Sequence, residues 1–244
     1  MGGTLLRGVT RNRFSLPPAK EQAAFAQTIE QWRSDIAACE PSGATRAWSG
    51  PFWRQFLTSL RVFAEETWRS NFSNLAGDPA VFAMRDQQMG KNLVWLARER
   101  YPNRKIIVWA ATFHNARRLG TIDTGDPKLA RLYGGVTPMG EVAWKELGNE
   151  IYSLGFTSFD GEWGTAFAKS AQTIPPPSSG SLEDLFARAG LVNAFVDFRN
   201  PPAGGAWLRA PIVAKLLGHT EMRADWTCVV DGVVFLRTMQ RSRK

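Results

Sequence analysis

Only two side chains in this 244-residue chain titrate near neutral pH when unperturbed, His114 and His219. His114 closes the stretch Lys105-Ile-Ile-Val-Trp-Ala-Ala-Thr-Phe-His114. From 106 to 111 this stretch is continuously apolar, opens on three β-branched residues and lacks the alternation of a strand with one wet face. It predicts a strand buried on both faces, with His114 just past its carboxyl end. Ligands of open α/β sheets collect at that edge, where loops leave a rigid sheet. Arg85 is the second candidate. Asp78-Pro79 predicts the start of a helix reaching residue 100, with Phe82, Met89, Leu93 and Leu96 as its apolar stripe. Helical spacing puts Arg85 and Asn92 on or beside that stripe, where unpaired polar groups are costly. Two readings of Arg85 stay open: it pairs with a carboxylate across a helix contact, or its bidentate fork holds an active-site carboxylate or a substrate oxygen.

Several chemistries are excluded by what the chain lacks. There is no phosphate-binding glycine loop, no serine nucleophile elbow and no set of metal ligands at known spacing. Cys39 and Cys228 read as reduced thiols, too few for a disulfide framework. No cofactor and no metal is expected. Asp86, Asp160, Glu162 and Asp231 are available acids, but spacing does not show which of them converge. The formal charge is +8, yet the basic residues are scattered apart from the tail after Arg241, unlike a nucleic-acid groove. No run reaches the length of a membrane span and no secretory signal opens the chain, which places the expectation in the cytoplasm.

The elements that must position these residues follow the chain. Residues 1–17 read as a loose arm and 18–244 as one α/β domain able to bury a sizeable core. Helices are predicted over 19–39, closed by Pro41-Ser-Gly43, and over 51–70, with Phe52, Phe56, Leu60 and Phe63 on one face. A long loop follows His114 through Gly125 to Gly135. A helix over 139–147 and a strand over 150–159 come next, with Asp160-Gly161 turning the chain. The proline-rich stretch 174–180 reads as a connector. Ser181 starts a short helix with a capping-box spacing to Asp184, ending by Gly190. A strand is predicted over 193–199, and a helix over 211–217 whose end His219 caps. Asp231-Gly232 reads as a two-residue hairpin turn inside 226–236. The expected fold is a mainly parallel sheet with flanking helices and a helical amino-terminal section.

Taken together, Arg85-Asp86-x-x-Met89-x-x-Asn92-x-x-Trp95-Leu96, the run Lys105–Ala110 and His114 resemble the erythromycin esterase family. Its members carry an Arg-Asp-x-x-Met-x-x-Asn helix before a Trp-Ala-His-Asn-x-His strand end. The second histidine of that pattern falls on His114; the first falls on Ala111 and the asparagine on Thr112. Met139-Gly140, Ile151-Tyr-Ser-Leu-Gly-Phe156, Ser181-Leu-Glu-Asp-Leu185 and Asp231-Gly-Val-Val-Phe235 look like later landmarks, so the resemblance covers about 80–238. The family's earlier Gly-Glu-x-x-His-Gly segment has no counterpart here. The resemblance implies hydrolysis of a carboxylic ester or macrolactone by water, with His114 and Arg85 catalytic and Asn92 and Trp109 binding substrate. It implies a small-molecule partner, and neither nucleic acid nor membrane. It also reads 226–236 as one strand entered through Asp231. The alternative is a catalytically inactive or truncated ligand-binding module that needs a missing amino-terminal half.

Overall fold

A computed structural model describes residues 16–39, 49–70, 78–164 and 170–241. Most of the predicted arm, the 41–43 helix stop and the last three residues of the basic tail lie outside these ranges. The chain divides into two compact units, Met1–Asn92 and Leu93–Lys244.

The first unit is helical. Helix α1 (Ala19–Ala38) and helix α2 (Gly50–Ser70) pack together, burying Ile29 and Leu57, with Phe25 edge-on to Trp68 at 5.5 Å. An ion network ties their outer surfaces: Arg61 pairs with both Glu30 and Glu65, and Glu30 also pairs with Arg33. Helix α3 (Pro79–Trp95) starts where Asp78 and Pro79 predict, Asp78 accepting the Ala80 amide at 2.9 Å. The helix runs on past the end of this unit, and after Trp95 it widens into a π-turn, Leu96–Arg100.

The second unit holds the sheet. Helix α4 (Thr112–Asn115), helix α5 (Pro127–Gly135), helix α6 (Met139–Leu147) and helix α7 (Leu182–Arg188) accompany six strands. These are β1 (Leu154–Trp163), β2 (Gln172–Ile174), β3 (Asn193–Asp197), β4 (Ile212–Leu217), β5 (Thr220–Ala224) and β6 (Gly232–Met239). Four strands form a sheet in the order β2-β1-β6-β3, and β4 and β5 form a separate hairpin. The α/β class holds, with the helical first section. The pairing is corrected: among the described strands β1–β6 is parallel and the other pairs are antiparallel.

One face of β1 and β6 is dry. Gly155, Thr157, Val233 and Phe235 point into a core with Phe186 of α7, Leu216 of β4 and Val230. Gly155 leaves room for the Leu216 side chain, which would have to shift to clear a Cβ 2.8 Å away. Helix α7 starts as its spacing predicts: Ser181 accepts the Asp184 amide and the Asp184 carboxylate accepts the Gly180 amide.

Other expectations fail for identifiable reasons. Residues 105–111 form no strand; the apolar run favours a ladder, but its backbone pairs with none of the described strands. The loop after His114 is interrupted by α5, capped by Asp126. Asp160-Gly161 does not turn the chain. Gly161, at φ 118°, lets β1 pass so close to Met239 that a Cβ would sit 2.1 Å from its carbonyl oxygen. Residues 212–217 are strand, because β-branched Ile212 and Val213 precede a turn of two positive-φ residues, Gly218 and His219, that matches hairpin twist. His219 therefore caps no helix. Asp231-Gly232 enters β6 and makes no hairpin.

Beneath the sheet, Lys215 and Glu183 are almost wholly buried. The Lys215 ammonium donates to the carbonyls of Phe159 and Pro175, at 2.9 and 2.7 Å. One Glu183 oxygen accepts from the Thr157 hydroxyl and the Lys215 amide, while Oε2 has no hydrogen-bond partner. Burial raises the Glu183 carboxyl above its ordinary 4.5. A carboxyl raised on folding contributes most below its unfolded value and loses stability as pH rises through the folded one. Glu183→Gln should therefore gain melting temperature relative to wild type as pH climbs above 4.5. Glu183→Ala, losing both hydrogen bonds, should cost about 1–3 kcal/mol. Thermal melts between pH 4 and about 8 check both; a wild type that gains on the glutamine variant with rising pH contradicts the assignment.

Candidate functional site

His114 lies on α4, a single turn of four residues that cannot hold its position alone. Its support comes from the residues just after it. The Asn115 carbonyl accepts from the Ser153 hydroxyl at 2.7 Å, and the Asn115 amide side chain reaches back to the Ala110 carbonyl at 3.3 Å. Ala116 is fully buried, and the Arg117 amide donates to the Val229 carbonyl at 2.9 Å. Helix α6 presses from another side. Gly140 approaches so closely that a Cβ would meet the Asn115 carbonyl oxygen at 2.2 Å.

The arrangement converges on Asp231, 4% exposed at the entrance to β6. Its Oδ1 takes the Arg117 Nη2 at 2.9 Å and the Arg199 Nε at 3.0 Å, and its Oδ2 takes the Ser153 amide at 2.8 Å. Arg117 is itself buried, its guanidinium over the Trp144 ring of α6. Arg199 lies over the Tyr152 ring and donates to the carbonyls of Asn149 and Ile151. The Tyr152 hydroxyl donates to Asp197 at 2.6 Å and lies 3.0 Å from the Asp231 carbonyl. Burial, then the Asp197 hydrogen bond, pushes the Tyr152 phenol above its ordinary range, and the same bond lowers Asp197. These contacts sit at the amino ends of the parallel strands β1 and β6, whereas the sequence places His114 past a strand's carboxyl end.

The four predicted site residues fall in different settings. His114 is half-buried, its ring edge-on to Phe113 at 5.5 Å, and Phe113 in turn meets Tyr133 at 5.7 Å. Trp109 is 88% exposed beside Phe156, ring centroids 5.9 Å apart. In the first unit, Arg85 is exposed on α3, and the buried polar neighbours are instead Asp86 and Gln88. Burial raises the carboxyl of Glu66, with the Arg85 charge opposing and Asp86 adding to the rise. Asn92 is engaged within its unit: its Oδ1 accepts from Gln55, Gln88 and Ser59, and its Nδ2 donates to the Ser59 hydroxyl. Among the described residues no three His, Cys, Asp or Glu side chains gather to hold a metal, and no helix is long and apolar enough to cross a membrane. Asp231 was legible as an available acid, but its partner Arg117 lies 114 positions away.

The erythromycin esterase family model matches residues 17–239, nearly the whole chain. The chain belongs to the erythromycin esterase family. The Bacillus subtilis (strain 168) protein named "Putative hydrolase YbfO" is 31% identical over 159 residues, 64% of this chain and 34% of that protein. An Escherichia coli erythromycin esterase type II is 28% identical over 142 residues, 54% of this chain and 32% of that protein. The chain thus spans about a third of the length of these curated relatives. Among solved structures, a succinoglycan biosynthesis protein superposes with a TM-score of 0.69 at 15% identity, over 97% of this chain and 56% of that one. A mutant of the erythromycin esterase EreC in its open conformation gives 0.61 at 14% identity, over 91% and 54%. These likenesses show the fold.

For this erythromycin esterase family chain the tight approach of α6 to α4 gives a direct test. Gly140→Ala should cost about 1–3 kcal/mol, because the backbone carbonyl it meets cannot swing aside. Gly134→Ala, with nothing within 4 Å of its Cβ position, should be neutral or slightly stabilising. Chemical denaturation of both variants checks this; equal stabilities contradict the packing of α4 against α6.

Proposed function

We propose that this chain carries the His114 part of a hydrolase that cleaves a carboxylic ester or macrolactone with water and without a covalent enzyme intermediate. His114 takes a proton as water adds to the carbonyl carbon, and returns it to the alkoxide as the carbon–oxygen bond breaks, leaving acid and alcohol. Arg85, an exposed residue of α3, is assigned the task of orienting a carboxylate or stabilising the oxyanion. Trp109 and Asn92 are the assigned substrate contacts; of these Trp109 offers an open aromatic face. The observation that carries the reading is the family match across residues 17–239. The half-buried setting of His114 supports it, on a turn fixed by Ser153, Gly140 and Arg117. Preorganised placement of this kind is what a proton-transfer group needs.

The test is hydrolysis by the purified chain of a panel of macrolides and simple aryl esters. His114→Ala should lower kcat by about 10²–10⁴-fold, the usual contribution of a positioned general base. Arg85→Ala should lower kcat/KM by about 10²–10³-fold if it stabilises the oxyanion. Turnover unchanged in His114→Ala refutes the assignment. A folded chain with no turnover selects the other reading, a ligand-binding module that depends on the rest of the family fold.

A further inference from the structure

Strand β3 closes one edge of the four-stranded sheet, so only one of its sides is paired among the described strands. Two bonds flanking its ladder with β6 fix which side that is. The Arg237 amide donates to the Val192 carbonyl at 2.7 Å, and the Phe198 amide donates to the Asp231 carbonyl at 2.9 Å. Along an antiparallel pair such bonds recur at every second residue. Residues 192, 194, 196 and 198 therefore turn their backbone groups towards β6, whereas Asn193, Phe195 and Asp197 turn theirs away from it.

A row of outward amides and carbonyls recruits another strand unless a charge, a proline or a bulge blunts it. From Leu191 to Val196 the chain has no charged residue and no proline, and the ladder with β6 runs in unbroken register. Apolar side chains flank the open backbone on both faces of the strand, Val192 being 66% and Phe195 57% exposed.

The occupant that this edge fits is itself. A second β3, set antiparallel about a two-fold axis at Phe195, brings Phe195 opposite Phe195 and each Asn193 opposite the Asp197 of the other copy. Every one of these pairs joins two outward-facing residues, so each exchanges a pair of backbone bonds and no outward amide or carbonyl of the strand is left over. The side chains of Asn193, Phe195 and Asp197 share one face, where a side-chain amide meets a carboxylate on either side of the axis and the two rings meet at its centre. Other registers do worse. An axis at Asp197 opposes two carboxylates, an axis at Asn193 carries Asp197 past the end of the facing strand, and an axis at Ala194 or Val196 leaves one outward residue without a partner. A strand of unrelated sequence would meet the backbone but would not supply the paired asparagine–aspartate contacts.

We infer that the chain forms a two-fold dimer through β3, with Phe195 at the axis and Asn193 facing Asp197 of the second copy, so that two four-stranded sheets become one continuous sheet. The Phe156–Val234–Phe195 row then continues across the axis, and its most exposed member is covered. This goes beyond the hydrolase reading and is independent of it, because no step of ester hydrolysis passes through β3.

The experiment is sedimentation equilibrium of the full chain across a wide concentration series. Wild type should show a reversible monomer–dimer equilibrium. Asn193→Lys sets a cation against Asp197 at both ends of the paired strands and Asn193→Asp sets an anion there, so the lysine variant should dimerise at least about tenfold more tightly than the aspartate variant. The formal charge of +8 on each chain favours the opposite order, so this result reads the local contact and not the overall repulsion. Phe195→Lys, which faces its own copy at the axis, should leave the chain monomeric. Hydrogen exchange read by mass spectrometry should slow over residues 191–198 as wild type is concentrated, and should not change with concentration in Phe195→Lys. Asn193 is exposed, so the two variants at that position keep the fold even where Phe195→Lys does not. A wild type that stays monomeric throughout overturns the inference. So does self-association that Phe195→Lys leaves intact, or an aspartate at 193 that dimerises as tightly as a lysine.

Discussion

A single buried carboxylate organises the second unit. Removing Asp231 from water is unfavourable, and the structure offsets this with two guanidinium groups and one backbone amide. The carboxylate and its three partners come from four places in the chain: Arg117 after α4, Ser153 before β1, Arg199 after β3, and Asp231 itself before β6. The hydrogen bonds have directions as well as energies, so they set how these segments meet. The apolar core of Val230, Val233, Phe235 and Leu216 supplies most of the stabilisation, whereas the charged group selects one arrangement of the segments around it. His114 inherits its place from that arrangement, being three residues from Arg117 on a turn too short to stand alone.

The same sheet shows what remains unsatisfied. Period-two alternation places Thr157, Val233 and Phe235 inward and Phe156, Val234 and Phe195 outward, and both sets are apolar or nearly so. The outer positions around that row are polar in part, with Ser158 and Asp160 on β1, Thr238 on β6 and Asn193 and Asp197 on β3. The exposed apolar surface of this face centres on the Phe156–Val234–Phe195 row, with Trp109 of the 106–110 stretch beside Phe156.

Local signals were legible and distant partners were not. The helix over Met139–Leu147, the Asp78-Pro79 start and the Ser181 cap all depend on residues within one turn, and each was readable from spacing. Residues 105–111 misled because an apolar β-branched run reports what a segment favours, not whether a neighbour exists to pair with it. Residues 212–217 misled because Ala214 and Lys215 dilute the strand signal, and the decisive Gly218-His219 turn has no asparagine or aspartate to mark it. Arg85 and Asn92 were placed together on a stripe, but a shift of one position exposes Arg85 and buries Asp86. The family pattern picked out His114, while its supporting contacts involve Ser153, Gly140 and Asp231, far apart in the chain.

The most direct test of this account is a double-mutant cycle on the pair at its centre. Arg117→Met, Asp231→Asn and the double variant would be compared with wild type by urea denaturation. The account predicts that the second substitution costs much less once the first is present, with an interaction energy of about 2 kcal/mol, because Asp231→Asn leaves Arg117 buried without its counter-charge and Arg117→Met leaves Asp231 with Arg199 as its one remaining cation. Costs that add to within about 0.5 kcal/mol would contradict it, and the placement of His114 would then need another cause.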